Sequence, residues 1–153
     1  MAGVLFQIDS DSAEELQEAL SKLADRCRNL TPCLKDIGEN LVRSTDQRFD
    51  AFVAPDGTRW EDNAPLTEEK KKGRFGEGKI LTDSGRLRRS ITYSTAYGGL
   101  LVGTDVIYAA THQFGGETPQ GKKIPARPFL GLSDRDKDSA LEIIAEYLSG
   151  ALS

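Results

Sequence analysis

The chain is poor in the residues that most catalytic and metal sites use. Its 153 residues include one histidine, His112, and two cysteines, Cys27 and Cys33. A single imidazole excludes most schemes in which one histidine acts as a base and another as a ligand, and no nucleophile-elbow motif accompanies it. Two cysteines are too few for a disulfide scaffold and lack a second pair at zinc-ligand spacing. The sequence therefore predicts no catalytic residues, no metal site and no cofactor.

Long apolar runs are also missing. No stretch approaches the length needed to span a membrane, and residues 1–8 are followed at once by acidic residues rather than by a cleavage site. The sequence predicts a protein that is made and kept in the cytoplasm, with no membrane partner. Its length suits one domain over residues 1–153 with a hydrophobic core of its own.

The charge is acidic on average and unevenly distributed. A net charge of −4 and a pI near 5.1 argue against a general nucleic-acid binder, which needs a basic surface for phosphates. The segment 70–89 is nevertheless basic, with only Glu77 and Asp83 against its cations. The cations that we consider as DNA or partner contacts are Lys70, Lys71, Lys72, Arg74, Arg86, Arg88 and Arg89. Two interpretations stay open: contact with DNA phosphates, or an arm that folds against an acidic neighbour.

The first third predicts two helices. An apolar stripe at three- and four-residue spacing begins at Ala13 and continues through Leu16 and Leu20 to Cys27, which we expect to be a buried thiol. Asp11 or Ser12 is the expected cap of this helix, and residues 4–8 could form a strand before it. A second helix is expected to start with Thr31 as the cap and Pro32 in the first turn.

The rest of the chain predicts an arm, a hairpin and a last helix. Residues 54–79 are rich in Pro, Gly, Lys and Glu, which is typical of a long flexible arm, and residues 117–123 resemble a second flexible loop. Gly98-Gly99 indicates a hairpin turn. Ser133 or Asp134 should cap the C-terminal helix. The predicted class is α+β, with an N-terminal helical pair packed on a small antiparallel hairpin sheet.

Carboxylates at alternating positions open that last helix. Asp134, Asp136 and Asp138 have the spacing of oxygen ligands for calcium or magnesium. The run lacks the glycine and the distal glutamate of an EF-hand loop. Acidic residues are also favoured at a helix start by the backbone dipole, so we interpret these three as helix-end electrostatics.

Two apolar segments predict a docking surface. Residues 124–132 place aromatic and aliphatic groups around two prolines and an arginine, and residues 108–116 precede them with a tyrosine and a phenylalanine. Buried aromatic anchors and a bidentate arginine are typical of protein interfaces. The predicted interface residues are Trp60, Tyr108, Phe114, Ile124, Arg127, Phe129 and Leu130. Two alternatives stay open: that Trp60 anchors its loop on the core, and that Phe129 and Leu130 close the chain's own core.

An ordered series of short motifs resembles the phage virion morphogenesis proteins, also called tail completion proteins, of Mu-like and P2-like tailed phages. The resemblance covers most of the chain from Phe49 onward. It is carried by Phe52, Pro55-Asp56-Gly57-Thr58-Arg59-Trp60, Ile80-Leu81-Thr82-Asp83-Ser84-Gly85-Arg86-Leu87, Val102-Gly103-Thr104, Tyr108-Ala109, His112-Gln113-Phe114-Gly115 and Ile124-Pro125-Ala126-Arg127-Pro128-Phe129-Leu130-Gly131.

The resemblance implies a non-enzymatic structural protein of the virion. It implies action in tail completion and head-to-tail joining, as a ring at the neck or the head-proximal tail end, with six copies to match tail symmetry. The implied partners are further copies of the chain and neighbouring neck and tail proteins, with weak non-specific contact to passing DNA. The implied location is the host cytoplasm during assembly and then the virion.

Two other functions compete with this interpretation. A DNA-binding accessory protein would use the basic segment 70–89, and its affinity would fall steeply with salt. A small hydrolase would use His112 as a lone general base, although nothing in the sequence selects its substrate.

Overall fold

The structure is a computed structural model that describes residues 10–152, with side chains described from residue 13 onward. The described residues contain six helices: α1 (Ser10–Arg28), α2 (Thr31–Ala51), α3 (Pro65–Lys71), α4 (Arg86–Arg89), α5 (Ala109–Phe114) and α6 (Asp134–Ser149). They also contain two antiparallel pairs of strands: β1 (Thr92–Ala96) with β2 (Gly99–Gly103), and β3 (Gly116–Glu117) with β4 (Lys123–Ile124). The predicted α+β class is confirmed. The expected strand at residues 4–8 and the side chains expected to cap α1 lie outside the described part.

Helix α2 is the centre of the fold. It packs against α6 and against both strands of the β1–β2 hairpin. Pro32 lies in its first turn, as predicted, but Leu30 rather than Thr31 occupies the cap position. The helix ends at Ala51. The next residue, Phe52, is its C-terminal cap and has a φ of 56°, in the left-handed region. None of the helices within residues 10–152 combines the length and apolar character that membrane crossing requires.

Helix α6 runs antiparallel to α2. Asp136, near the start of α6, forms an ion pair with Arg48, near the end of α2. At the other end of the pair, the Tyr147 hydroxyl of α6 donates to the Asn29 carbonyl, just before α2 begins (2.6 Å). Ser133 caps α6, as one of the two predicted caps: its Oγ accepts from the Asp136 amide (3.1 Å) and the Asp136 carboxylate accepts from the Ser133 amide (2.9 Å).

The β1–β2 hairpin turns through Tyr97 and Gly98. Both residues have positive φ, 54° and 71°, which is the backbone of a type I′ turn. The hairpin approaches α2 at Gly38, where an added Cβ would lie 2.5 Å from Cδ2 of Tyr93. Glycine at this helical position therefore permits the close packing of sheet and helix.

An aromatic group occupies the core. Phe49 meets the Trp60 ring edge-on, with 5.5 Å between ring centroids, and its centroid lies 5.7 Å from that of Phe129. The buried hydrophobic cluster consists of Phe49, Ala54, Trp60, Ile80, Leu87, Ile91, Val106, Ala109 and Phe129. Ala54 and Trp60, from the segment predicted as an arm, thus enter the same core as Phe49 of α2.

The segment predicted as a flexible arm is folded in the structure. It contains α3, and its Lys71 is buried with Nζ donating to the carbonyls of Lys79 (2.8 Å) and Thr82 (2.7 Å). The predicted loop at 117–123 is likewise a tight connection, in which the Thr118 amide donates to the Lys122 carbonyl (2.8 Å). The polar composition of these two segments suggested flexible loops. In the structure some of their polar side chains instead form hydrogen bonds with backbone groups, which holds the segments in place.

Helix α1 is the least covered helix with described side chains. Its main helix contact is with the end of α6, where Arg26 donates to the Tyr147 carbonyl and lies over the Tyr147 ring. Leu16 and Leu20 remain 50% and 55% exposed, and Cys27 is exposed. The prediction of a buried Cys27 thiol is wrong, because the described residues do not cover the apolar stripe of α1 along its length.

Candidate functional site

The predicted interface residues divide into buried and exposed groups. Trp60 and Phe129 are 3% and 0% exposed, and the Trp60 Nε1 donates to the Pro128 carbonyl (2.8 Å). Both side chains therefore stabilise this chain's own core instead of being free for a neighbour, as the open alternatives allowed. Ile124 and Leu130 are partly buried, whereas Tyr108 and Phe114 are exposed. The exposed pair keeps the role of candidate partner contacts.

Arg127 makes its directional contacts within the chain. Its Nε donates to the Glu61 carbonyl (2.7 Å) and an Nη donates to the Asp62 carbonyl (2.8 Å), so the guanidinium bridges the loop after Trp60 to the loop before Phe129. Burial lowers the pKa of Arg127, and the nearby Glu61 and Asp62 carboxylates oppose that shift. The prediction that Arg127 makes a bidentate contact with another protein is therefore corrected: Arg127 connects two loops of its own chain.

Gln113, in the motif His112-Gln113-Phe114-Gly115, has a structural role that the sequence did not predict. Its Oε1 accepts from the amides of Phe129 and Leu130 (both 3.0 Å), and its Nε2 donates to the Leu130 carbonyl (2.9 Å). These bonds fix the loop before α6 against α5. The available signal was a polar amide within an otherwise apolar segment, since such a group needs internal partners when it is buried.

A cleft of about 970 Å³ opens between the folded segment after Trp60, helix α5 and strand β4. Tyr108 and His112 line one wall with their rings edge-on at 5.8 Å, and Ile124 and Pro125 contribute apolar surface. Arg86, Lys122 and Lys123 line the cleft with exposed side chains. We call this feature the α5 cleft.

His112 lies in the wall of the α5 cleft. Its Nδ1 is buried without a hydrogen-bond partner among the described residues. Burial lowers the pKa of His112, and the positive charge of Arg127 lowers it further. The α5 cleft therefore combines aromatic surface with cationic side chains.

The basic segment is only partly available to a partner. Lys71 is committed to two backbone carbonyls, and burial lowers its pKa. Arg88 pairs with two carboxylates of α2, Asp46 and Asp50, whose hydrogen bonds raise its pKa. The remaining members of the predicted set are exposed: Lys70, Lys72, Arg74, Arg86 and Arg89.

The carboxylates at the start of α6 have a structural use. Asp136 is buried, caps the helix and pairs with Arg48. Within residues 13–152, no group of three or more His, Cys, Asp or Glu side chains could hold a metal ion. Burial alone would raise the pKa of Asp136, but hydrogen bonds from Ser44 and Ser133 and the Arg48 charge together lower it.

The folded core leaves three features on its surface: the exposed leucines of α1, the α5 cleft and several cations. Comparison with known proteins agrees with a role in assembly: the chain belongs to the phage virion morphogenesis family, whose sequence pattern matches residues 11–149. The resemblance seen in the sequence is thereby confirmed.

Two relatives are similar over much of their lengths. The Mu-like prophage FluMu G protein 2 of Haemophilus influenzae is 33% identical over 145 residues, covering 94% of this chain and 96% of the relative. The putative capsid assembly protein G of Escherichia phage Mu is 37% identical over 118 residues, covering 73% of this chain and 75% of the relative. No solved structure matches the chain.

Proposed function

We propose that this chain is a non-enzymatic structural protein that completes the phage tail and joins it to the head, as a ring at the neck or head-proximal tail end. The family match over residues 11–149 is the observation that carries the proposal. The exposed leucines of α1 and the exposed Tyr108 and Phe114 support it, because they offer two different surfaces to neighbours. A closed ring of identical chains uses two different surfaces of each copy. Six copies would match tail symmetry.

The exposed cations favour an accessory contact with DNA in the same setting. Arg86 and Arg89 lie on one helical turn, and neither forms an ion pair with a described residue. Such side chains would give weak, sequence-independent attraction to phosphates as DNA passes. A free-standing DNA-binding function is the second candidate, and binding to duplex DNA that weakens steeply with salt would favour it.

The test is a phage in which this gene is inactivated. We expect lysates to contain DNA-filled heads and separate tails, and complementation with the intact chain should restore joined, infectious particles. Labelled chain should be found at the head-proximal tail end by electron microscopy. Complete particles in its absence would contradict the proposal, and the absence of heads would instead favour a role in capsid assembly.

A further inference from the structure

Helix α1 leaves an amphipathic surface that no described residue of its own chain covers along its length. Leu16 and Leu20 lie one turn apart and are about half exposed, and Ala13, one turn before Leu16, is also exposed. An amphipathic helix is stabilised mainly by burying such a stripe rather than by its intrinsic propensity. The leucine face of α1 is therefore a surface that burial against another molecule would stabilise.

The same half of α1 is acidic. Glu14, Glu15 and Glu18 precede Lys22, the first basic residue of the helix. The helical repeat places Glu15 about 100° around the helix from Leu16, closer to the leucine face than Glu14 and Glu18, which lie about 160° from Leu16 and contribute longer-range attraction only. Glu18 is already paired with Lys22 (2.8 Å). A partner surface for this half of α1 needs apolar area bordered by positive charge.

The α5 cleft has that combination. Tyr108 and Ile124 offer apolar contact, and Arg86, Lys122 and Lys123 are exposed cations that form no ion pair within the described residues. The charged residues that line the cleft are five cations and three acids, a net charge of +2 on a chain whose net charge is −4: Lys71, Arg86, Lys122, Lys123, Arg127, Glu61, Asp62 and Asp83. A helix that inserts small and aliphatic side chains into such a groove is a common mode of recognition.

We propose that α1 of one copy docks in the α5 cleft of the next copy, with the Leu16 and Leu20 face on Tyr108 and Ile124 and Glu15 near Lys122 and Lys123. The inference rests on the proposed ring and names the surfaces that would build it. The contact is heterologous, because helix and cleft are different parts of each chain, so it leaves one free helix and one free cleft for the next copy.

The cleft is a poorer match for DNA. Glu61, Asp62 and Asp83 in the lining would oppose phosphates and the glutamates of α1 alike, so they do not distinguish the two partners. A polyanion would leave the apolar wall uncovered, whereas the leucines of α1 would cover it. The apolar area therefore favours the helix of a second copy.

The experiment uses two full-length variants with opposite defects. Leu16→Glu with Leu20→Glu disables the helix, and Tyr108→Ser with Lys123→Glu disables the cleft; these side chains are exposed, so the fold should persist, which circular dichroism checks. The wild-type chain should associate increasingly with concentration in sedimentation velocity. Each variant alone should associate at least about tenfold more weakly.

Mixing the two variants gives the decisive result. In the mixture, the cleft variant supplies an intact helix and the helix variant supplies an intact cleft. We therefore expect heterodimers and nothing larger. Leu132→Glu, at an exposed leucine outside both surfaces, and Lys35→Glu, at an exposed lysine of α2, are the matched controls and should assemble as wild type.

Three outcomes would overturn the docking proposal. They are a wild-type chain that stays monomeric at all concentrations, a cleft variant that associates normally, or a mixture that forms no heterodimer. A cleft variant that loses only duplex DNA binding would assign the cleft to phosphate contact. Phage complementation separates this failure from that of the proposed function: variants that restore joined particles would contradict the docking alone.

Discussion

Arg48 of α2 and Asp136 of α6 form an ion pair that is buried on both sides and joins these two packed helices. The Arg48 guanidinium also donates to the carbonyls of Phe129 (2.8 Å) and Gly131 (3.0 Å), so one side chain holds the helix end, the loop and the next helix together. Burial lowers the pKa of Arg48, and Asp136 opposes that shift. The pair is satisfied by hydrogen bonds on all sides, which is the condition under which a buried pair is tolerated.

Replacing Arg48 should be costly. Arg48→Met leaves a buried carboxylate and two carbonyls without their donor, and we expect unfolding to become easier by about 3–5 kcal/mol. Urea denaturation measures the change. The matched control is Lys137→Met, which removes the exposed pair with Asp134 (3.2 Å) and should cost less than about 1 kcal/mol. Similar costs for the two variants would contradict the assigned burial.

Two phenylalanines from the predicted interface should behave in opposite ways. Phe129 is fully buried, so Phe129→Ala should lower stability by about 3–5 kcal/mol. Phe114 is 79% exposed, so Phe114→Ala should change stability by about 0.5 kcal/mol or less. Thermal and urea unfolding of both variants provide the measurement. A stable Phe129→Ala protein would mean that the residue faces a partner after all.

Gly38 should respond to alanine against the usual trend. Alanine in a helix interior is normally favoured over glycine by about 1 kcal/mol. Here the added Cβ would meet the Tyr93 ring at 2.5 Å, and overpacking of this kind costs about 1–3 kcal/mol. Gly38→Ala should therefore be destabilising in chemical denaturation. Gly103→Ala, where a Cβ meets nothing within 4 Å, is the control and should be near neutral.

His112 should make stability depend on pH below the ordinary histidine pKa of about 6.5. Its pKa is lowered in the folded chain by burial and by Arg127, so the unfolded chain, with a histidine pKa of about 6.5, binds the proton more readily. Stability is then fully present above the unfolded pKa and is lost as pH falls toward the folded pKa. His112→Gln should remove this dependence. Equal pH profiles of unfolding for both proteins would show that His112 does not contribute.

Local sequence signals predicted the regular elements well. Pro32 lies in the first turn of α2 and Ser133 caps α6, both as predicted, while the hairpin turn lies at Tyr97-Gly98, one residue before the predicted Gly98-Gly99. These features depend on neighbouring residues, because caps and turns are satisfied within a few positions. Element type therefore followed from local chemistry.

Long-range contacts account for what the sequence did not reveal. Lys71 and Arg88 read as free cations, yet one is held by carbonyls of the following segment and the other by carboxylates of α2. Cys27 was predicted to be buried because its stripe is apolar, yet it is exposed among the described residues. Periodicity shows which face is apolar, but not whether the same chain or another molecule covers it.

The Trp60 indole spans 68 residues of sequence to reach the Pro128 carbonyl, and its ring shares the core with Phe129 through Phe49. The two segments thus depend on each other for packing. A homologue with a smaller side chain at position 60 would need a larger one near position 129 to fill the same volume. We therefore expect substitutions at positions 60 and 129 to co-vary among homologous phages and prophages.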